Sequence, residues 1–354
     1  MGIKVVVAMS GGVDSSVTAA LLKKQGYEVI GIMLRLWSET GREDSNRCCT
    51  PDSQKLARRV AAKLDIPFFV VDAKDLFYLT VVQSFLAGYA QGETPNPCLV
   101  CNRQIKWDFL FKHALALGAD FLATGHYAIK KKTDAGKWQL LRSVDRSKDQ
   151  SYVLHVLTQD KLARALFPVG EYPKPEIRKL AESFGLPTAA QADSQDLCFL
   201  AGEDYREFLR RNVPGIGRPG PILTRSGKTL GEHQGLAYYT IGQRKGLGIA
   251  SRVPLYVLEK NAACNVLVIG TEDELGSSTL LAVDINWIAG EPPAGQFRAE
   301  IKTRYTAKDA SGEVTPLEHG RASVHFDMPQ RDITPGQAAV FYEEGVVLGG
   351  GIII

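Results

Sequence analysis

Residues 3–16 read IKVVVAMSGGVDSS, and this stretch decides the fold of the first part of the chain. Ile3–Ala8 is a short apolar run that predicts a buried parallel strand, and a helical spacing of apolar residues follows over Asp14–Gln25. Glycines and serines fill the turn between them. Glycine lets the backbone approach a ligand closely, and the next helix offers free N–H groups and the positive end of its dipole. The stretch therefore predicts a phosphate-binding turn.

The same strand-then-helix alternation continues to about residue 200. We predict further strands at Glu28–Leu34, Pro67–Asp72 and Phe121–Thr124, and helices at Asp52–Leu64, Asp75–Ala90 and Ile105–Leu117. We expect Glu93–Cys101 to be irregular, because Pro95 and Pro97 remove backbone donors. The repeated βα pattern predicts an α/β fold with an open, doubly wound parallel sheet.

The pattern changes after about residue 205. Glycine and proline are dense at 214–221, and short alternating strands follow. We predict strands at Ala237–Ile241, Leu255–Glu259, Thr279–Trp287, Phe297–Tyr305, Arg321–Phe326, Ala338–Tyr342 and Val346–Ile354. The sequence thus predicts three domains: an α/β domain over 1–205, a small central domain over 206–277 and a C-terminal β-barrel over 278–354.

Composition excludes several classes of protein. The chain has 354 residues, of which 45% are hydrophobic and 23% charged, as in an ordinary globular protein rather than a disordered or fibrous one. Its longest apolar runs fall short of the roughly 18 residues that span a bilayer, and residues 1–9 show no cleavage-site pattern. We therefore expect a cytoplasmic protein without a membrane partner. The net charge of +3 does not by itself indicate nucleic acid.

Three of the six cysteines stand in suggestive surroundings. Cys98 and Cys101 form a CxxC pair within NPCLVCN, and Cys198 lies in DLCF about a hundred residues later. A thiol ahead of a helix has a lowered pKa, so Cys101 could be a reactive thiolate, and a second thiol would allow sulfur to be relayed. A structural zinc half-site, an idle pair, and for Cys198 a small buried residue are the alternatives. We interpret Cys48 and Cys49 as a loop feature and Cys264 as structural.

The phosphate turn leaves its own alternatives open. It lacks the lysine of a Walker A motif and the spacing of a GxGxxG fingerprint. Asp14 is unusual in an anion site unless it positions Mg²⁺ or a loop amide. The simpler interpretation is a strand–helix turn with an ordinary Ser or Asp cap.

SGGVDSS resembles the pyrophosphate loop of the ATP-pyrophosphatases, which adenylate a substrate oxygen. Longer stretches make the whole chain resemble one family within them, the bacterial tRNA-specific 2-thiouridylases. These stretches are AMSGGVDSS at 8–16, TPNP and CNRQIKW within 94–107, ATGHYA at 123–128, KDQSYVL at 148–154, DSQDLCF at 193–199, YTIGQRKGLGI at 239–249, IKTRY at 301–305 and PGQAAVFY at 335–342. The resemblance implies an adenine-nucleotide alpha-hydrolase-like first domain and ATP-dependent 2-thiolation of the wobble uridine in tRNAs for Glu, Gln and Lys. ATP, Mg²⁺, tRNA, and a cysteine desulfurase or sulfur-relay protein as donor are the implied cofactors and partners.

The resemblance also implies roles for individual residues. The ATP site would comprise Ala8, Met9, Ser10, Gly11, Gly12, Val13, Asp14, Ser15, Met33 and Gly125. Cys198 would carry a persulfide and Cys101 would assist sulfur release; the two can form a disulfide in the family. His126, which follows a strand end, is the third candidate catalytic residue. The tRNA or its target base would contact Asn96, Pro97, Cys98, Lys148, Asp149, Gln150, Arg304, Tyr305 and Gln337.

Each of these roles has a simpler structural alternative. Met33 could be core packing, and 148–150 a solvated turn. Residues 304, 305 and 337 could be an exposed strand face. We interpret Gln243–Lys245 as a tRNA-phosphate contact or a solvated basic turn, and Lys130–Lys132 as a solvated hairpin.

One position departs from the family pattern. The better-known branch has an Asp where this chain has Cys98, so Cys98, Cys101 and Cys198 could converge as ligands of a 4Fe–4S cluster with one open iron. Persulfide relay with Cys98 as a tolerated replacement is the alternative. Absence of bound iron and of absorbance near about 400 nm after anaerobic reconstitution would exclude the cluster.

Two other functions compete with thiolation. An amidating or ligating synthetase of the same superfamily would need an ammonia or amino-acid site in place of the three cysteines. A non-enzymatic RNA-binding or persulfide-carrier protein would have a decayed nucleotide site.

Overall fold

The structure is a computed structural model that describes residues 2–42, 50–192, 197–200, 202–331 and 333–354. Cys48 and Cys49 lie outside the described residues. The strands are β1 Lys4–Ala8, β2 Glu28–Arg35, β3 Phe68–Asp72, β4 Phe121–Ala123, β5 Ala128–Lys132, β6 Trp138–Arg142, β7 Ala165–Leu166, β8 Gly220–Leu223, β9 Thr229–His233, β10 Tyr256–Asn261, β11 Val266–Gly270, β12 Ser277–Trp287, β13 Phe297–Lys302, β14 Ala310–Leu317, β15 Arg321–Gln330, β16 Ala338–Glu343 and β17 Val346–Ile353. The α-helices are α1 Val13–Lys24, α2 Pro51–Lys63, α3 Lys74–Phe77, α4 Gln83–Ala90, α5 Pro97–Val100, α6 Phe111–Ala116, α7 Ser151–Leu154, α8 Gln159–Ala163, α9 Lys174–Ser183 and α10 Tyr205–Asn212. π-Helical turns at Tyr78–Val82 and Cys101–Leu110 connect α3 to α4 and α5 to α6.

The first domain contains a five-stranded parallel sheet in the order β3-β2-β1-β4-β7. The chain moves outward from β1 through β2 to β3 and then returns to the other side of β1 with β4. This reversal is a topological switch point, and ligands of such sheets bind outside the carboxyl ends of the two strands that flank it. The predicted doubly wound sheet is confirmed, and it places the turn after β1 beside the turn after β4.

Helix α1 packs on this sheet because its inner face is apolar. Val17 and Leu21 are buried with Val5 and Val7 of β1, and Ile177 of α9 joins the same cluster. An acidic residue in the first turn of α1 and lysines in the last turn complement the helix dipole. The start of α1 is therefore held firmly against the sheet edge.

The remaining strands form two further sheets. β8 to β11 make a four-stranded sheet in the order β10-β11-β8-β9, and β12 to β17 make a barrel in the order β12-β15-β14-β13-β16-β17 that closes through pairing of β12 with β17. The predicted central domain and C-terminal β-barrel are thus present.

The β5–β6 hairpin belongs to the barrel sheet although it lies early in the chain. Val346 and Val347 of β17 pair with Leu141 and Leu140 of β6. The hairpin predicted at Lys130–Lys132 is therefore present. Lys130, however, is not solvated: its Nζ lies 4.1 Å from the ring centroid of Trp138, and burial lowers its pKa to about 8.

In the second half of the chain, one predicted strand is wrong and an observed strand was missed. Ala237–Ile241 is not a strand, because Leu236–Tyr238 forms a 3-10 turn after Gly235, whose φ of 128° starts a sharp bend. The strand at Ala310–Leu317 was not predicted, because its glycine and proline are unusual in strand interiors. No helix in the described ranges is long and apolar enough to span a bilayer.

Candidate active site

The phosphate turn has the geometry of an open anion site. Gly12 is the N-cap of α1, and no described side chain caps that helix start. The serine hydroxyls bond within the turn: Ser15 Oγ accepts from Ser10 N at 3.2 Å and donates to Gly12 O at 3.1 Å. The simpler prediction of an ordinary Ser or Asp cap is not what the structure contains. The uncapped helix start, at the sheet's switch point, suits a phosphate.

Two glycines, Gly11 and Gly125, allow backbone segments to pack closely around the phosphate turn. Gly11 has a φ of +79°, and a Cβ there would lie 2.5 Å from Ser53 O. A Cβ on Gly125, in the turn after β4, would lie 2.8 Å from Ser15 N and 2.9 Å from the Asp14 carbonyl carbon. Gly125 therefore packs directly against the start of α1, which supports its expected place beside the nucleotide.

The Gly125→Ala variant is expected to lose ATP affinity by about tenfold or more and to lose about 1–3 kcal/mol of unfolding free energy, because the new methyl pushes the start of α1 away. Gly2→Ala is the matched control, since nothing lies within 4 Å of its added Cβ. Equilibrium ATP binding and denaturant unfolding measure the two effects. ATP affinity equal to that of the control would contradict the proposed site.

Asp14 is held by two partners that the sequence did not indicate. Tyr127 donates its hydroxyl to Asp14 Oδ1 at 2.7 Å, and Lys174 Nζ donates to Oδ1 and Oδ2 at 2.7 and 2.8 Å. Both carboxylate oxygens therefore face donors on the protein.

The two methionines of the expected ATP site are buried. Met9 is 2% exposed, and its sulfur packs where a side chain on Gly31 would be. Met33 is also 2% exposed and lies toward the carboxyl end of β2, opposite Val70 of β3. Their side chains are thus part of the sheet's packing, which is the alternative stated for Met33.

His126 is a buried, neutral imidazole. Thr124 Oγ1 lies 2.7 Å from Nδ1, and Lys106 Nζ lies 3.2 Å from Nε2. A lysine ammonium can only donate, so Nε2 accepts and Nδ1 carries the proton. Burial holds the pKa of His126 well below its ordinary value, and the charge of Lys106 lowers it further. His126 can therefore position neighbouring groups through hydrogen bonds. Its imidazole stays uncharged near neutral pH.

The CxxC segment is helical, so the prediction of an irregular Glu93–Cys101 is wrong from Pro97 onward. Asn96 is the N-cap, and its Oδ1 accepts from Cys98 N at 3.1 Å. Pro97 occupies the first helical position, where a missing N–H costs nothing. Cys98, rather than Cys101, is therefore the thiol at the helix start, where the dipole favours a thiolate.

Cys101 begins the ten-residue π-helical segment Cys101–Leu110. π-Turns are closed by hydrogen bonds between residues five apart and occur often at functional sites. The same segment also carries Lys106, whose ammonium lies 3.2 Å from His126 Nε2.

Cys101 and Cys198 pack against the same apolar cluster, which joins Phe77 and Phe85 of the first domain to Phe208 and the central sheet. Both thiols are half-buried and Cys98 is exposed, and none of them is in a disulfide. In the part of the chain that is described, no group of three or more His, Cys, Asp or Glu side chains is placed to hold a metal ion. The residues present thus do not fit a preformed cluster site.

Three residues expected to contact tRNA come together although they are far apart in sequence. Burial raises the pKa of Tyr305, and the charges of Asp149 and Cys98 raise it further. The ring of Tyr305 also lies edge-on to Tyr152, with centroids 6.2 Å apart. Tyr305 of the C-terminal domain therefore lies near both Asp149 and Cys98 of the first domain.

The 148–150 segment is not a solvated turn. Asp149 is 4% exposed and accepts from the Ser143 and Ser151 backbone N–H groups and from the Ser151 hydroxyl. Gln150 Oε1 accepts from Tyr127 N at 3.0 Å, while Gln150 N donates to Tyr127 O. Asp149 and Gln150 fix the segment from within, and Lys148 is half-exposed on it.

Arg304 and Gln337 both bridge domains. Arg304 Nη2 donates to Ile241 O of the central domain at 2.8 Å and to the Thr334 hydroxyl. Gln337 Nε2 donates at 2.7 Å to Thr94 O, two residues before the Asn96 cap. Gln337 thus connects the barrel to the segment that carries Cys98, and Arg304 connects the barrel to the central domain.

The sequence analysis did not identify Lys106, Tyr127 or Lys174. Lys106 and Tyr127 lie inside stretches that carry the family resemblance, so those stretches could have indicated both residues as site candidates. Lys174 had no signal, because its partner Asp14 is 160 residues away.

Family models match the chain in three consecutive parts. The model described as the tRNA methyl transferase HUP domain matches residues 3–202, the tRNA methyl transferase PRC-barrel domain matches 206–271, and the Aminomethyltransferase beta-barrel domain matches 277–353.

Curated relatives match over almost their whole length. A protein of Caldanaerobacter subterraneus named tRNA-specific 2-thiouridylase is 47% identical over 354 residues, covering 99% of this chain and 97% of the relative. One of Magnetococcus marinus with the same name is 47% identical over 353 residues, covering 99% of each. Among solved structures, a tRNA thiolase from Methanococcus maripaludis with its 4Fe–4S cluster is 23% identical, with a TM-score of 0.36 over 60% of this chain and 67% of that one. This identity and TM-score are too low to assign any property of that protein to this site.

Proposed function

This chain belongs to the family of tRNA-specific 2-thiouridylases, and we propose here how its own residues carry out that activity. It is a tRNA-uridine 2-sulfurtransferase that uses ATP. The observation that carries the proposal is the position of the uncapped start of α1 at the sheet's switch point, in the same domain as two cysteines that share one apolar cluster.

In the first step, ATP binds with its phosphates against the 8–15 turn and the start of α1. The free N–H groups of the helix start stabilise the charge that develops on the leaving pyrophosphate. The C2 oxygen of the wobble uridine attacks the α-phosphorus, so that AMP becomes attached to that oxygen and pyrophosphate departs. The uridine carbon then has a good leaving group.

Mg²⁺ would enter with ATP, since the phosphates supply most of the ligands it prefers. Asp14 Oδ1 accepts hydrogen bonds from Tyr127 and Lys174, and Oδ2 accepts one from Lys174. Asp14 is therefore not arranged as a preformed Mg²⁺ ligand. These contacts do not favour the alternative in which Asp14 positions Mg²⁺.

In the second step, Cys198 carries the sulfur as a persulfide. The Cys101 thiolate attacks the Sγ atom of Cys198 in this persulfide, a Cys101–Cys198 disulfide forms, and the outer sulfur leaves as hydrosulfide. The hydrosulfide adds to C2 of the uridine and expels AMP, giving 2-thiouridine. An external dithiol then reduces the disulfide before the next cycle and is itself oxidised to a disulfide. The shared apolar cluster supports this pairing, because it brings both half-buried thiols to one region.

We derive no step through a 4Fe–4S cluster, because the three cysteines do not form a metal-holding group among the described residues. Anaerobic reconstitution with iron and sulfide tests whether the protein binds such a cluster. Stoichiometric iron with absorbance near about 400 nm would replace the persulfide route by cluster-bound sulfide.

The target base would lie over Cys98, beside Asp149 and Tyr305. An exposed tyrosine ring can stack an unpaired base, and Arg304 and Lys148 can meet phosphate. A cysteine desulfurase or a sulfur-relay protein is the proposed donor, tRNAs for Glu, Gln and Lys are the proposed substrates, and the cytoplasm is the proposed location.

Pyrophosphate release with and without unmodified tRNA tests the proposed function. We expect release that depends on tRNA. Release driven by a small carboxylic acid and not by tRNA would indicate a synthetase instead, and tRNA binding without ATP binding would indicate a non-enzymatic carrier.

A further inference from the structure

We propose that Lys174 is a positioning residue of the ATP site: it neutralises Asp14, so that an acidic side chain can stand in the phosphate loop without repelling ATP. This inference rests on the proposed ATP site. It concerns a residue that lies 160 positions from the loop, on a different helix.

The geometry of the pair is well defined. Lys174 Nζ lies 2.7 and 2.8 Å from the two oxygens of Asp14, and the lysine side chain is 9% exposed against 30% for the aspartate. Lys174 is the first residue of α9, and α9 is fixed on α1 because Ile177 and Ala181 are fully buried in the cluster that contains Val17. The ammonium is thus delivered to Asp14 by rigid packing.

Asp14 is the second residue of α1, inside the turn expected to cradle the triphosphate. An isolated carboxylate there would oppose the helix dipole's attraction for phosphate. Tyr127 contributes a neutral hydrogen bond to Asp14, and Lys174 contributes the positive charge. Because Lys174 balances the negative charge of Asp14, the pair adds no net charge to the loop. A loop without the Walker lysine can therefore keep an aspartate.

Lys174 also connects the ATP loop to the segment expected to contact tRNA. Its backbone N–H donates to Asp145 Oδ2 at 3.0 Å, and this bond is the main cause of the lowered pKa of Asp145. The Asp145 side chain in turn accepts from Ser147, one residue before Lys148. The main chain at residue 174 thus stays fixed whatever its side chain is, which favours a substitution that changes charge alone.

A double-mutant cycle on the full-length protein tests the proposal, with the affinity for Mg²⁺–ATP as the readout in the absence of tRNA. Lys174→Met should weaken ATP binding by about tenfold to a hundredfold, because Asp14 is left with its charge uncompensated. Asp14→Asn alone should bind ATP at least as tightly as the unaltered protein. Asp14→Asn combined with Lys174→Met should recover most of the lost affinity. Lys179→Met, an exposed lysine on the same helix, is the matched control.

Three results would overturn the proposal. Unchanged affinity in Lys174→Met would show that the charge is not needed. Equal weakness in the single Lys174→Met and the double variant would show that Lys174 binds phosphate itself or is only structural. Weak binding in Asp14→Asn that depends on Mg²⁺ would make Asp14 a metal ligand. If Lys174→Met does not fold, Lys174→Gln takes its place in the same cycle: it should weaken ATP binding when residue 14 is Asp and not when residue 14 is Asn, and equal affinities in those two backgrounds overturn the proposal.

The unaltered protein separates this inference from the proposed function. If it binds no ATP, the proposed ATP site is wrong. If it binds ATP and the cycle shows no rescue, only the role of Lys174 is wrong.

Discussion

The Cys198→Ala protein is expected to form no 2-thiouridine while it binds ATP and tRNA as the unaltered protein does. Cys198 opens a single 3-10 turn and is half-buried at the rim of an apolar cluster, so alanine fills its place without removing a hydrogen-bonded support of the ATP loop. The loss would arise because Cys198 is the proposed carrier of the persulfide sulfur. Nucleoside mass spectrometry of tRNA after reaction measures product, and equilibrium binding measures the two affinities.

Cys264→Ala is the control for this variant. Cys264 is exposed in the central domain, and its replacement should leave thiolation unchanged. Lost tRNA binding in Cys198→Ala would instead mark Cys198 as a structural residue. Full thiolation by that variant would remove it from the sulfur path.

The Cys101→Ala protein is expected to be equally inactive but to stop at a different point. It should still accept sulfur, so a persulfide should accumulate on Cys198, visible as the added mass of one sulfur atom in the intact protein. Adenylation should proceed, because Cys101 lies at the start of the π-helical segment and is not part of the 8–15 turn. Pyrophosphate release for a single turnover should therefore persist without 2-thiouridine.

Two outcomes with Cys101→Ala would contradict the order of steps. A covalent adduct between the protein and tRNA would mean that the Cys198 persulfide attacks the base directly and Cys101 acts afterwards. Normal 2-thiouridine formation would mean that Cys101 is not needed. Cys264→Ala serves again as the matched control, and denaturant unfolding confirms that each variant is folded.

The first turn of the fold could be predicted because its signal is local. In residues 3–16, an apolar run, a glycine pair and a helical spacing all lie within one βα unit, and the structure forms β1, the turn and α1 there. The doubly wound sheet followed from the alternation of strands and helices, and a switch point such as the one beside β4 is a general property of such sheets.

The helix start at Pro97 was missed for a reason that is also local. Proline was taken as a breaker, whereas at the first helical position after an Asn cap it favours helix. Asn96 and Pro97 are compatible with irregular structure and also with the start of a helix. The choice depends on whether Asn96 caps the next turn, and that is evident only from the structure. This shifts the helix-start thiol from Cys101 to Cys98.

The contacts between distant segments were beyond prediction. Asp149 looks like a solvated loop acid, yet it is buried and accepts hydrogen bonds from Ser143, which follows β6, and from Ser151. Lys174 pairs with Asp14 because α9 packs on α1, and nothing in the sequence around residue 174 encodes that neighbour. Such pairs depend on tertiary packing, which local patterns do not report.

The most direct test of the central claim is nucleoside mass spectrometry of unmodified tRNA incubated with the purified protein, ATP, and a cysteine desulfurase with cysteine. We expect 2-thiouridine at the wobble position, with AMP and pyrophosphate formed together with it, and no product when ATP is omitted. Pyrophosphate formed without any thiolated nucleoside, under conditions in which Cys198 carries a persulfide, would contradict the account.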